Sequence, residues 1–428
     1  MPTRQLAAAP RAGSASTAST NAPTNRVGHR DVPVWVSLLA LALGGFAIGT
    51  TEFASMGVLP EIAGDLHVSI PTAGHAITAY ALGVVVGAPT FAILGARLPR
   101  KALLLALMAA LTLANLASSM APTFGTFVLA RFASGFPHGA YFGIGAVVAS
   151  SLVPRERRAR AVAMTMMGLT VANVVGVPLT TLLGQAAGWR STYLTVVVIG
   201  VMTLVAVQLF VPRVVVHEDA SPRRELSALQ RPQVWLTLLF GAVGFGGFFA
   251  VYSYIAPTLT EVSGFAEGGV PIALALFGVG MTLGTMVGGR LADWSVLRTL
   301  VIAPAATLVV QLVFTVTAHA VVPAAVTLLV LAFTASLSLP AITARLLDVS
   351  GDGKALASTL NHSALNVANA LGAWLGGVVI AAGFGYTAPA VVGAVLSAAG
   401  LLVLAVSIGL ERRDRRRVTE PVQQPQAA

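Results

Sequence analysis

Few side chains in this sequence could do chemistry, and those few sit in apolar surroundings. Glu52 is the only charge in "VPVWVSLLALALGGFAIGTTEFASMGVLP", residues 32–60. On a helix, Gly45, Gly49, Glu52 and Met56 share one face. An ionised carboxylate at the centre of a bilayer costs roughly 2.5–3.5 kcal/mol on insertion scales. An acid kept at such depth is suited to taking up and releasing a proton. The other placement is a hydrated carboxylate close to the membrane boundary, since Pro60 follows soon after. Arg131 is the only charge between Lys101 and Arg155. In "RFASGFPHGAYF" it shares a helical face with Gly135, His138 and Phe142. Its guanidinium is always charged and planar, so a buried Arg131 needs an acid, carbonyls or water. It either positions a substrate and acts on a proton carrier, or snorkels to the membrane surface. His138 is either a titrating cavity residue or a hydrogen-bonded packing residue.

Two further runs carry polar groups among small residues. In "GLTVANVVGVPLTTLLG", Gly168, Gly176 and Gly184 recur at a fixed interval, with Asn173 and Pro178 between them. The glycines permit close helix approach and the proline a kink. In "NHSALNVANALGAWLGG", the residues His362, Asn366, Asn369, Ala373 and Gly376 share a face. An amide facing lipid is costly, so this face must look inward, to bind a polar substrate or to lock helices together. Tyr80, Phe248 and Tyr252 offer stacking contacts to a ligand, or packing alone.

The elements that hold these groups follow from composition. Of 428 residues, 56% are hydrophobic and 10% charged, against about 25% charged in a soluble domain. The apolar runs are about 20 residues long, the length that crosses a bilayer. They do not alternate as barrel strands do. The class is an all-α polytopic membrane protein. Twelve spans are expected, at about 33–57, 70–95, 101–120, 123–151, 158–184, 190–211, 233–257, 270–292, 299–318, 321–346, 355–382 and 387–410. They group as a bundle at 32–211, a linker at 212–232 and a second bundle at 233–410. A disordered tail at 1–31 and a basic tail at 411–428 flank them. The first apolar run begins too late and is too long for a signal peptide.

The net charge of +10 has a topological cause. With the N-terminus in the cytoplasm, every Lys and Arg except Arg131 and Arg190 falls on the cytoplasmic side. The opposite loops hold Glu61, Asp65, Glu261 and Glu267. This is the positive-inside pattern; it places both termini in the cytoplasm and the basic patches against anionic lipid, so no nucleic-acid partner is expected. There is no Cys, no Walker motif and no zinc-ligand spacing among the seven His. No nucleophile–base pair stands at either face. Neither an enzyme nor a bound cofactor is expected, and the chain is expected to be a monomer.

The halves repeat. "TVANVVGVPL" (170–179) matches "NVANALGAWL" (366–375), "AAGW" (186–189) matches "AAGF" (381–384), and Gly83 and Gly87 match Gly280 and Gly284, all at nearly one offset. A duplicated six-helix unit places two bundles around a midplane cavity, the geometry of alternating access. Glu52 corresponds to Phe249, so the acid belongs to one half only.

Residues 32–410 resemble the major facilitator superfamily, in its twelve-helix drug:proton antiporter branch. "RFASG" resembles the helix 4 motif with a buried Arg, and "NVVGVPLTTLLG" the antiporter motif of helix 5, with Gly-Val-Pro where Gly-Pro is common. The loop after helix 2 keeps Arg97, Arg100 and Lys101 but has Ala96 in place of the usual Asp. The second half keeps Asp293 at the matching position. "GTTEF…GVLPEIAGDLHVSIP", "TAYALGVVVGAP", "GFPHGAYFGIGAVVA" and "LNHSALNVANALGAWLGG" resemble chloramphenicol-resistance exporters and arabinose-efflux-like permeases. The resemblance implies two pseudo-symmetric six-helix bundles and proton-driven efflux of small, mostly uncharged compounds across the plasma membrane. It matches Glu52 and Arg131 to proton coupling. It implies gating or structural roles for Arg97, Arg100, Lys101, Asp293, Gly176 and Pro178. A sugar or metabolite exporter on the same fold, and a membrane sensor that binds ligand without moving it, are the alternatives.

Overall fold

A computed structural model describes residues 32–94, 98–213, 227–351 and 353–419. The tail at 1–31, Ala96, Arg97, residues 214–226 of the linker and residues 420–428 lie outside the described residues. Among the described residues there are helices and no strands. Ten helical stretches are long and apolar enough to cross a bilayer. One of them, Glu267–Thr317, bends at Ser295, where the backbone is extended (φ −165°, ψ 107°), and crosses twice. Two shorter helices, Phe124–Gly135 and His138–Ser151, make one more crossing together. The result is twelve spans, numbered here in chain order.

Two spans depart from the continuous helices expected. Span 4 breaks at Phe136–Pro137, because Pro137 has no N–H and its ring crowds the carbonyl one turn back. The Phe136 N–H closes a tight turn on the Ala133 carbonyl instead, at 3.3 Å. Span 5 joins Arg158–Val171 to Val177–Ala187 through a π-type turn at Ala172–Gly176. Pro178 offers no hydrogen to the preceding turn, and the wide turn, in which the Val177 N–H reaches back to the Ala172 carbonyl, absorbs the defect.

The internal repeat is built into the packing. Gly83 has no room for a side chain against the Phe132 carbonyl, nor Gly87 against that of Phe136. In the second half Gly280 meets the Leu329 carbonyl and Gly284 that of Phe333. Glycines and partners are all displaced by the same interval, so spans 2 and 4 cross as spans 8 and 10 do. Spans 1 and 7 are enclosed, with 67% and 78% of their most apolar stretch buried; for spans 6 and 12 the figures are 28% and 39%. Spans 1 and 7 therefore lie in the interior, and spans 6 and 12 largely face outward.

The halves meet where span 2 packs along span 11 and span 5 against span 8. The end of the bundle with the acidic loops is drawn together. The Tyr254 hydroxyl of span 7 donates to the Ala373 carbonyl at 2.8 Å and lies against Gly74 of span 2 and Gly377 of span 11. Gly57, at the end of span 1, abuts Thr181 and Leu274 from spans 5 and 8.

Candidate functional site

Span 1, Val34–Gly57, carries Glu52 roughly 27 Å from its start at the basic end of the bundle. Gly45 and Gly49 on the same face pack against Thr165, Leu169 and Ala172 of span 5, which brings span 1 close to the centre. Glu52 is 5% exposed. His138 of span 4 approaches it, Nδ1 to Oε2, at 4.0 Å. The same Nδ1 lies 3.1 Å from the Tyr80 hydroxyl of span 2. From the second half, the Asn369 amide of span 11 comes up to the Glu52 carboxyl. It makes no hydrogen bond of ordinary geometry there, and both its polar atoms are buried and unpartnered. Tyr252 of span 7 also lies within electrostatic reach of Glu52. The acid thus stands where groups from the two halves converge.

Arg131 is fully buried and does not snorkel. Its guanidinium donates to the Thr51 hydroxyl at 2.9 Å and to the Thr51 carbonyl at 3.0 Å. The Thr51 hydroxyl donates in turn to Asn115 Oδ1 of span 3 at 2.5 Å. The guanidinium lies over the Tyr80 ring at 4.4 Å and the Tyr193 ring at 5.4 Å. Arg131 and Glu52 interact through space, yet among the described residues they form no ion pair. The helical face expected for Arg131 and His138 survives the break in span 4, because Tyr80 bridges them, taking the cation on its ring and the imidazole at its hydroxyl.

The second half offers an aromatic wall. Tyr252 stacks on Phe277 at 4.3 Å and Phe248 packs on Phe277 at 5.2 Å. Phe53, beside Glu52, meets Tyr252 at 5.5 Å and Phe249 at 6.5 Å. Toward the basic end, His362 of span 11 stacks on Phe142 of span 4, 6.0 Å between centroids and 5° between planes, while His138 meets Phe142 edge-on. A histidine–phenylalanine stack therefore spans the halves one step inward from Glu52. Asn366 donates locally to the His362 carbonyl at 3.0 Å and Asn173 to the Leu169 carbonyl at 3.0 Å, leaving the Oδ1 of each buried and unpartnered.

Other residues singled out from sequence lie apart from this centre. Lys101 donates to the Gln208 carbonyl at 2.8 Å, within its own half. Arg100 stands beside it at the start of span 3, and Asp293 is exposed at the basic end of span 8. Gly176 lies against Phe46 and Thr50 on the seam between spans 1 and 5. Arg190, the other basic residue on the acidic side, pairs with Asp65 and stacks on Trp189.

Thr51, Asn115, Phe53, Phe249 and Phe277 were missed as parts of the site. Asn115 had a usable signal, an amide inside an apolar run, the reasoning that singled out Asn366. The phenylalanines had only the signal that also marks Phe248, an aromatic ring in an apolar run, which does not separate site from packing.

Comparison with known proteins bears on the family and the fold. A family model described as the Major Facilitator Superfamily matches residues 41–354. An inner membrane transport protein, YdhP of Escherichia coli strain K12, is 41% identical over 370 residues, 86% of this chain and 95% of that protein. The putative transporter AraJ of the same organism is 36% identical over 371 residues, 85% and 93% of the two chains. A chloramphenicol resistance protein of Streptomyces lividans is 35% identical over 266 residues, 61% of this chain and 67% of that one. A bacterial homologue of the human lysosomal transporter Spinster, solved inward-facing and unoccupied, superposes with a TM-score of 0.68. It has 16% identity and covers 87% of this chain and 95% of its own.

Proposed function

We infer that this chain, which belongs to the major facilitator superfamily, is a proton-coupled exporter of small, mostly uncharged compounds, with a chloramphenicol-type antibiotic as the first substrate to test. The observation that carries the reading is the place of Glu52: a buried carboxyl where His138 of one half and Asn369 of the other converge, with no Lys or Arg paired to it among the described residues. Such an acid can gain or lose charge as the halves move, and each state alters how they fit together. The relative named for chloramphenicol resistance supports the choice of compound. So does the pairing of an aromatic wall with unpartnered amides, which suits a neutral ring bearing polar groups.

The cycle follows from alternating access. The basic end faces the cytoplasm. With that end open and Glu52 ionised, substrate enters from the cytoplasm or inner leaflet, past the Phe142–His362 stack. Rocking of the halves exposes the cavity outward. A proton then neutralises Glu52, substrate leaves, and the protonated carrier returns to release its proton inside. One charge crossing about 100 mV supplies roughly 2.3 kcal/mol, enough with a pH gradient to sustain outward accumulation.

The test is resistance and efflux in a drug-sensitive cell, comparing the wild type with Glu52→Gln. The expected result is loss of proton-driven export with normal membrane expression. Undiminished proton-driven export in the variant would sink the assignment of Glu52.

A further inference from the structure

A groove of about 520 Å³ lies on the outer surface of the first half, away from the site. It runs between spans 1, 5 and 6, walled by Leu39, Leu43, Phe46, Met167, Val171 and Phe210. Every residue lining it is apolar. Its floor is recessed, because Gly168 lets the backbones of spans 5 and 1 touch at Ala42. From Val36, near the start of span 1, to Phe46 is about 15 Å along the helix. That is half of the ~30 Å hydrocarbon core, the depth of one leaflet. A slot with no polar partner does not hold water. At this depth the bilayer offers acyl chains to fill it.

The mouth of the groove is basic. Arg160 lies on the same helical face as Met167 and Val171, toward the basic end of span 5. Arg213 follows Phe210 at the end of span 6, and the ammonium of Lys101 is fixed nearby on the Gln208 carbonyl. Arg160 and Arg213 are exposed, and among the described residues neither forms an ion pair. Glu156, a turn before Arg160, is exposed and makes none either. A planar guanidinium binds a phosphate in two-point fashion.

We propose that this groove is a specific site for one anionic phospholipid: an acyl chain fills the slot, and the phosphate is held by Arg160 and Arg213 with Lys101 beside them. The bound chain ends on Phe46, which packs against Gly176 in the π-type turn of span 5. Its occupancy therefore braces the seam between spans 1 and 5, about two turns from Glu52.

Native mass spectrometry of the full chain, supplied with phosphatidylglycerol or phosphatidylcholine, tests this. The wild type should retain one phosphatidylglycerol at concentrations where phosphatidylcholine is lost. The surface variant Arg160→Ala/Arg213→Ala should lose that preference by on the order of tenfold. Val171→Trp, which fills the slot, should lose retention of both lipids. Equal retention of both by the wild type would overturn the proposal, as would full phosphatidylglycerol retention by either variant. Competition by soluble glycerol phosphate at lipid-like concentrations would also overturn it, because the acyl chain would then contribute nothing. A dimer mass abolished by Val171→Trp would assign the groove to a second copy instead.

Discussion

Arg131 is held by neutral oxygens through its two terminal guanidinium nitrogens, while its Nε is buried and unpartnered, and this bears directly on what Glu52 can do. Were the two ion-paired, protonating the acid would strand a buried guanidinium at a cost of several kcal/mol. Held instead by the hydroxyl and carbonyl of Thr51, the guanidinium keeps its bonds whichever state Glu52 adopts, and its charge acts on the acid through space. Arg131→Lys keeps the charge but cannot reach both oxygens and cover the Tyr80 ring together. Loss of one charge-assisted bond is worth roughly 1.5–3 kcal/mol. The expected outcome is a lower melting temperature in detergent and transport reduced at least tenfold; wild-type transport in Arg131→Lys would contradict the two-point role. Glu52 and Arg131 were legible in the sequence because a charge in an apolar run is conspicuous. Their separation was not legible. The carbonyl that binds Arg131 belongs to the backbone, and backbone leaves no mark in a side-chain pattern. Thr51 and Asn115 meet from spans 1 and 3, 64 residues apart in sequence, with nothing local in either run to announce their pairing.

Helix seams show the same division between what pattern reveals and what it hides. The glycines at 168, 176 and 184 mark a close approach, and the structure supplies the partners: Ala42, then Thr50 with Phe46, then Val58 with Thr192. The breaks were less legible. Pro137 and Pro178 are alike as residues, yet one divides its span into two helices and the other is absorbed in a π-type turn. The choice rests on what the neighbouring spans require, and that is a property of packing. The glycine seam gives a sharp contrast. A methyl at Gly168 collides with the Ala42 carbonyl, whereas one at Gly143 meets open space. Gly168→Ala should destabilise by about 1–3 kcal/mol, the usual range for overpacking, and reduce the yield of monodisperse protein. Gly143→Ala should leave both unchanged. Thermal unfolding of the two variants side by side checks this, and equal melting temperatures would mean the seam is looser than its geometry.

At the scale of the whole molecule, the alternating access proposed above requires the acidic end to close and reopen, and that end carries its own titratable contact. Glu61, on the short helix Leu59–Asp65 after span 1, is partly buried, with Oε2 unpartnered. Glu267 faces it from the second half, Gln185 lies beside it in the first, and Asp65 is one turn along. Burial first, and then the charge of Glu267, pushes the Glu61 carboxyl above the usual carboxylate range. Its protonated form is therefore the one the closed end favours. The stabilisation is complete below the ordinary carboxylate pKa and fades as pH rises through the raised value. Asp65 runs the other way. The hydrogen bonds from Arg190 and then Trp189 hold it below the usual range, so its contribution is present above about pH 4 and lost on further acidification. Both Asp65 partners lie in the first half, so that pair travels with the half and does not gate it. With no native Cys, spin labels at Gly64→Cys and Gly268→Cys can report the gap, since each glycine faces open space. Between pH 5 and pH 8.5 the long-distance population should grow, and Glu61→Gln should hold the short distance across the range. A variant that keeps the full pH response would move the control of closure away from the acidic rim and onto Glu52 itself.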